Sequence, residues 1–280
     1  MREKKRKRHI FILLTLFITA IAFFIFEDKH LVVSEYIYNS DKVGPELEGL
    51  KFVQISDLHN ASFGKDNIRL INTINEQRPD IIVITGDLVD SNHTDIEKAL
   101  NFAQEMAKKY PVYYITGNHE YWLSEDDRNE MLSGLSDMGV VILNDEAVTI
   151  SIGNDSFNLV GLDNNSLQSD ILTGIIAEHE EELNIVLAHE PQYINRYSKA
   201  GADLVLAGHV HGGQFRLPFV GGILAPEFGF FPQYDAGMYT ENGTTMVVSR
   251  GIGNSVIPVR INDFPEIVCI ELNQLCREEQ

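Results

Sequence analysis

Cysteine is scarce in this 280-residue chain, and Cys269 and Cys276 are too few for a disulfide scaffold or a cysteine-rich zinc module. Basic side chains are also in short supply: 22 Lys and Arg stand against 41 Asp and Glu, for a net charge of −19. Six of those cations fall within residues 1–9, beside one acid, so residues 10–280 carry 16 basic and 40 acidic side chains, net −24. Binding nucleic acid by phosphate neutralisation needs a basic surface, so no nucleic-acid partner is expected. Internal repeats are absent, as is any low-complexity tract beyond the basic tail. What the chain does have is apolar material, at 44% of residues, which supplies a sizeable core and excludes disorder as the main state. The length suits one large domain.

One long hydrophobic run stands out. Ile10 to Phe26 is uncharged and mostly apolar. As a helix its 17 residues reach about 26 Å, the short end of a membrane span. Arg2, Lys4, Lys5, Arg6, Lys7 and Arg8 precede it, and Glu27 and Asp28 follow. The positive-inside rule then puts residues 1–9 in the cytoplasm and the rest outside, which makes a single-pass protein of the cell membrane with an extracytoplasmic domain. The competing reading is a signal peptide cleaved after Ala20-Ile21-Ala22, with secretion of the remainder. Phe23 to Phe26 continue the apolar run past that point, so an uncleaved anchor over 10–26 is the reading taken. No Arg-Arg pair of a twin-arginine signal is present.

Residues 27–49 read as a stalk and an edge strand, punctuated by Gly44-Pro45. From residue 50 short apolar runs alternate with helical patterns. The runs are 51–56, 80–85, 112–116, 184–188 and 203–207; the helical patterns are 66–77, 94–109, 123–137, 168–181 and 191–199. This alternation is α/β, with strands buried on both faces. Residues 140–143, 147–152 and 157–162 read as meander strands, and 237–240, 244–249 and 265–272 as later strands. The polar tail is 274–280.

Five polar clusters each follow one of the apolar runs: Asp57-Leu58-His59, Gly86-Asp87-Leu88-Val89-Asp90, Gly117-Asn118-His119-Glu120, His189-Glu190-Pro191, and Gly208-His209-Val210-His211-Gly212-Gly213. Ligands of open α/β sheets sit at the carboxyl ends of strands, so all five should converge on one rim. Carboxylate and imidazole without thiolate suit Mn, Fe, Zn or Co. In Asp57-x-His59 and His209-x-His211 an extended backbone would turn both members the same way. Glycines let the backbone approach closely. Glu120 reads as a supporting residue, His93 as part of a solvated loop, Trp122 as packing and Cys269 as a buried small hydrophobe.

The motifs D-x-H, G-D-x-x-D, G-N-H-E, a later H and G-H-x-H together resemble the calcineurin-like metallophosphoesterase superfamily. The continuation H-G-G-Q, then Ser249-Arg250-Gly251-Ile252-Gly253 and Pro265-Glu266-Ile267, is similar to its bacterial membrane-associated phosphohydrolases. The resemblance implies a four-layer fold over residues 50–273, with two mixed β-sheets packed as a sandwich flanked by helices. It implies two divalent ions, with manganese favoured. Asp57, His59 and His211 would hold one ion; Asn118, His189 and His209 would hold the other; Asp87 would bridge both. It also implies a general acid, His119, oriented by Asp90. Two such ions about 3.5–4 Å apart clamp a phosphate and turn a bridging water into an attacking hydroxide. With two carboxylates against two dications the pocket is cationic within an acidic domain, which suits an anionic ester.

The expected activity is hydrolysis of a phosphodiester or diphosphate in a phosphorylated small molecule or lipid, lipid-linked or nucleotide-linked. The alternative is a non-catalytic membrane-anchored binding module on the same fold. A Ser/Thr protein phosphatase would carry Arg where Ser91 follows Asp90. Residues 215–232 hold five Phe and only two charges. They read as a loop folding back on the sheet, or as an apolar rim in which Phe228, Phe230 and Phe231 meet an acyl chain or the membrane.

Overall fold

The computed structural model describes residues 2–179, 181–225, 228–255 and 258–275, without the side chains of residues 2 and 3. Cys276 and the rest of the tail 276–280, and Glu227 of the phenylalanine-rich segment, lie outside the described residues.

Helix α1 (Arg2–Lys29) is longer than the apolar run, taking in the basic tail and Glu27, Asp28 and Lys29. Its apolar side chains between Ile10 and Phe26 are almost all exposed. Among the described residues it is the one helix long and apolar enough to cross a membrane. Strand β1 (Val32–Ser40) follows after two residues, and it pairs in parallel with the last strand, β16 (Glu266–Gln274), at the edge of a sheet.

That sheet continues from β16 to β2 (Lys51–Ile55), β3 (Ile81–Thr85), β4 (Val112–Ile115) and β5 (Val141–Ile142). From β2 to β5 the pairing is parallel, while β16 runs against β2. Between them lie α2 (Ile68–Gln77), α3 (Ile96–Ala107), α4 (Asn118–Trp122) and α5 (Glu125–Asp137). Asp95 caps α3 by accepting the Lys98 N–H, and Ser124 caps α5 by accepting the Asp127 N–H. A second six-stranded sheet holds β6 (Glu146–Ile152), β7 (Asp155–Gly161), β8 (Leu183–Leu187), β9 (Leu204–Ala207), β14 (Gly237–Glu241) and β15 (Thr244–Val248). Its helices are α6 (Ile171–Ala177) and α7 (Ile194–Ala200). Two small hairpins intervene, β10 (Arg216–Leu217) with β11 (Gly221–Gly222), and β12 (Leu224–Ala225) with β13 (Gly229–Phe230).

Strand periodicity explains the layers. Along β3, Ile82 and Ile84 join α2, α3 and α5 in one core, whereas Ile81 and Val83 turn to a second core between the sheets. That middle core takes Phe52 from one sheet and Phe157 from the other, ring centroids 5.7 Å apart and edge to face. Each such ring stabilises by about 2–3 kcal/mol on burial. Val160, Val186 and Val205 turn outward to a third core under α6 and α7. The order helix, sheet, sheet, helix is the expected four-layer α/β architecture.

Three expectations change. Residues 140–143 are not part of a meander: β5 pairs with β4, and the chain reaches the second sheet only at β6, which forms a hairpin with β7 alone. Among the described residues the helix expected over 168–181 shrinks to α6, which begins without a side-chain cap at Asp170. Residues 27–49 contain little free stalk, since Glu27 is buried and Asp28 is bonded to the body.

Candidate metal centre

Each cluster sits just past a parallel strand: Asp57 and His59 after β2, Asp87 and Asp90 after β3, Asn118 and His119 after β4, His189 after β8, and His209 and His211 after β9. The two sheets are tied just beneath this rim. Gln54 of β2 donates to Thr85 Oγ1 (3.0 Å) and across to the Ala207 carbonyl of β9 (2.8 Å).

The alternation argument for Asp57-x-His59 and His209-x-His211 fails. Their backbones are not extended: φ is 53° at Asp57, 45° at His59, 71° at His209 and 49° at His211, with Asp87 at 52°. These left-handed kinks cost about 1 kcal/mol or more apiece and turn side chains of successive residues toward one centre. Glycines make room for them. A Cβ on Gly117 would lie 2.3 Å from Asp87 Oδ1, and one on Gly86, itself at φ 90°, would lie 2.6 Å from His189 Nδ1.

The donors form two adjoining groups. In the first, His59 Nε2 and His211 Nε2 are 3.2 Å apart, with Asp57 Oδ1 at 4.0 and 3.6 Å from them. In the second, His189 Nε2 lies 3.0 Å from Asn118 Oδ1, and Asp87, His189 and His209 place ligand atoms within 4.8 Å of one another. Asp87 Oδ2 stands between the groups, 3.5 Å from His59 Nε2 and 3.2 Å from His189 Nε2. Its other oxygen accepts the His119 backbone N–H at 2.8 Å. All are buried. All seven expected ligands are therefore together.

Two of these rings are held neutral, as a cation's ligands must be, and a third is held charged by its carboxylate neighbour. Burial and Arg260 hold His211 well below the ordinary imidazole value, and burial lowers His59 to about 3. Burial opposes charge on His189 as well, yet Asp87 outweighs it and raises that ring to about 10. Burial likewise works against Asp87, but His189 and His59 hold its carboxyl below the usual range. His189 Nδ1 bonds to the Thr85 carbonyl at 2.8 Å, which makes Nδ1 a donor and points Nε2 to the centre, where a cation would displace its proton. His59 Nδ1 is buried without a partner. Two facing imidazole nitrogens and shared carboxylates, with no thiolate, fit a pair of divalent cations.

His119 sits at the edge of this set, its ring 4.4 Å from that of His59. Asp90 lies near it but its carboxylate is engaged elsewhere, accepting the Asn92 (2.7 Å) and His93 (3.2 Å) N–H groups. The His119 ring is held instead by Ser91, whose N–H donates to Nδ1 at 3.1 Å. The ring proton is therefore on Nε2, which faces Ser255 Oγ at 3.2 Å. Asp90 thus bears on the ring through the turn it closes, with a carboxylate oxygen within 4.8 Å of a His119 nitrogen. Trp122 is half exposed and lies 4.6 Å over the His119 ring, so it is not core packing. Phe228 packs edge-on to His209 at 5.4 Å, while Phe230 and Phe231 are exposed.

Of two supports, sequence reasoning named Glu120 without its partners and missed Arg260. Glu120 is fully buried and accepts N–H groups from Gly117 (2.7 Å), Asp87 (3.0 Å) and Leu88 (2.9 Å), which clamps two rim loops together. Burial, then Asp87, pushes its carboxyl up to about 7. Arg260 is also fully buried, bonding to the Gly253 (2.6 Å) and Arg250 (2.9 Å) carbonyls and lying 3.5 Å from His211 Nδ1. Its only sequence signal is a charge flanked by Val259 and Ile261.

A four-layer α/β fold with a carboxylate and histidine rim defines a class, and sequence comparison agrees: a family model of calcineurin-like phosphoesterases matches residues 50–213. The chain belongs to that family of metal-dependent phosphoric-ester hydrolases. It is 30% identical over 254 residues to the metallophosphoesterase YkuE of Bacillus subtilis strain 168, covering 88% of this chain and 87% of that one. It is 31% identical over 251 residues to a transmembrane protein with metallophosphoesterase domain of Danio rerio, covering 84% of this chain and 55% of that protein. Among solved structures, TT1561 of Thermus thermophilus aligns at 10% identity and a TM-score of 0.49, over 73% of this chain and 90% of that one.

Proposed function

We propose that the chain is a membrane-anchored enzyme that hydrolyses a phosphodiester or diphosphate bond, lipid-linked or nucleotide-linked. The observation that carries the reading is Asp87 Oδ2, set between imidazoles of two separate donor groups. Asp57, His59 and His211 would hold one cation, Asn118, His189 and His209 a second, and Asp87 both. Manganese is the favoured metal. Such a pair, when bound, neutralises the substrate phosphate and acidifies a water.

The chain's own residues do the rest. Glu120 keeps the Asp87 loop against the Gly117 turn, so donors from two strands hold a fixed spacing. The Ser91 N–H fixes the His119 tautomer with its proton on Nε2, ready for a leaving-group oxygen. Trp122 covers the ring from the solvent side. The chain divides as a cytoplasmic tail 1–9, an anchor 10–26, a connection 27–49, a catalytic domain 50–273 outside the cytoplasm and a polar tail 274–280.

The test is hydrolysis of a chromogenic phosphodiester with and without added Mn²⁺, beside Asp87→Asn. Turnover that needs the metal, and loss of both metal and turnover in the variant, are expected. Stoichiometric metal with no turnover of any phosphoester would make the protein a binding module on this fold. Turnover that survives metal removal would refute the reading.

A further inference from the structure

Three parts of the chain meet where α1 joins the body. Glu27 Oε2 accepts the Asn262 N–H (2.6 Å), and Asp28 Oδ1 accepts Asn254 Nδ2 (3.2 Å) and the Arg260 N–H (3.0 Å). Lys29 Nζ donates to the Ser62 carbonyl (3.0 Å), three residues past His59. Arg260 in turn touches His211, so the base of α1 is one residue away from the metal rim. Asn262 also donates through Nδ2 to the Arg216 carbonyl (3.4 Å), where the chain enters β10. One residue thus binds both the root of the apolar helix and the root of the β10–β11 hairpin.

The tip of that hairpin is Leu217-Pro218-Phe219-Val220, closed by the Val220 N–H on the Leu217 carbonyl at 3.2 Å. Phe219 has φ 69° at the third position of the turn, behind Pro218, where a type II turn calls for glycine. A phenyl-bearing residue there strains the backbone. Phe219 is nonetheless fully exposed, and Leu217 and Val220 are each more than half exposed. Phe231, at φ 57° just past the β12–β13 hairpin, repeats the combination and is 64% exposed. In water both the strain and the exposed apolar area oppose these conformations. A lipid interface reverses the second.

We propose that the Leu217–Val220 tip enters the interface of the same bilayer that α1 crosses, giving the body a second attachment that holds the metal rim against the membrane surface. This rests on α1 being a membrane span. The occupant is the lipid surface itself, because the tip and the anchor leave the body bonded to one asparagine. Lys29 and Arg69, which donates to the Lys29 carbonyl (3.1 Å), put cations at that root of an otherwise acidic body, where anionic headgroups lie. With two attachments the rim keeps one face to the leaflet, so its substrates carry their phosphoester at headgroup level.

The full chain, with Cys269→Ala and Cys276→Ser, is reconstituted in vesicles of equal phosphatidylethanolamine and phosphatidylglycerol. It carries one environment-sensitive fluorophore at a time, on Phe219→Cys, Ile18→Cys or Asn154→Cys. Asn154 is exposed in the β6–β7 turn, at the end of the second sheet opposite the rim. Spin-labelled lipid is expected to remove at least half of the emission at Phe219 and Ile18, and little at Asn154. Quenching at Ile18 with Phe219 as bright as Asn154 overturns the second attachment and leaves the anchor standing. No quenching at Ile18 removes the anchor, and the proposal with it.

Discussion

At His119 the hydrogen bonding separates two roles that the motif alone had joined. The Ser91 N–H holds the ring, and Asp90 holds the turn that presents that N–H. Asp90→Asn keeps an acceptor for the turn and should slow turnover less than about tenfold, while Asp90→Ala opens the turn and should approach His119→Ala. His119→Ala itself should slow esters with poor leaving groups by about 10²–10⁴ and activated aryl esters far less. Steady-state kinetics across a series of leaving groups checks both. Glu120 predicts a stability effect. In Glu120→Gln one acceptor becomes an NH₂ facing backbone N–H groups, and the lost bonds should cost about 3 kcal/mol in urea unfolding of the metal-free protein.

Among the elements, those with strong patterns were readable and those set by tertiary pairing were not. The central strands β2, β3, β4, β8 and β9 are solid apolar runs, and polar clusters at their ends located the seven donors. Strand β5 is two residues long and belongs to the first sheet only because β4 offers it a partner, which no local pattern encodes. The left-handed backbone at Asp57, His59, Asp87, His209 and His211 was invisible for a similar reason: none is glycine, and only loop-to-loop bonds such as His59 N–H to the Asp87 carbonyl (3.0 Å) impose it. Glycines show the same contrast. Gly117→Ala and Gly208→Ala place a Cβ at 2.3 Å from Asp87 Oδ1 and 1.9 Å from Ser56 Oγ, so both should lose metal. Gly174→Ala in α6 meets nothing within 4 Å and should stabilise by about 0.5–1 kcal/mol. Metal content and urea midpoints distinguish these outcomes.

For the whole molecule, the layered architecture followed from alternation of strands and helices, but the supports behind the rim did not. Arg260 meets His211 and Gln54 meets Ala207 across long stretches of sequence, and an isolated polar residue in an apolar stretch does not name its partner. The same dense packing governs alkaline stability. Eight of the ten tyrosines hold their protons above the free phenol value, burial being the first cause at each, with Tyr38, Tyr121, Tyr234 and Tyr239 pushed up to about 12. The unfolded chain then loses these protons first, so stability is intact below about pH 10 and falls as pH climbs from about 10 to 12. Urea midpoints near about pH 9 and pH 11, with tyrosinate absorbance, measure it.

The carboxylates of Glu27 and Asp28 belong to the hydrophobic helix by secondary structure and to the globular body by bonding. A soluble version cut at Val32, where the sheet begins, would strip two acceptors from the backbone at Asn262 and Arg260 and loosen the ground under His211. A cut at Phe26 would spare them, and so would proteolytic release behind Ala22. Where the polypeptide is severed, within a span of a few residues, should decide whether a shortened enzyme works.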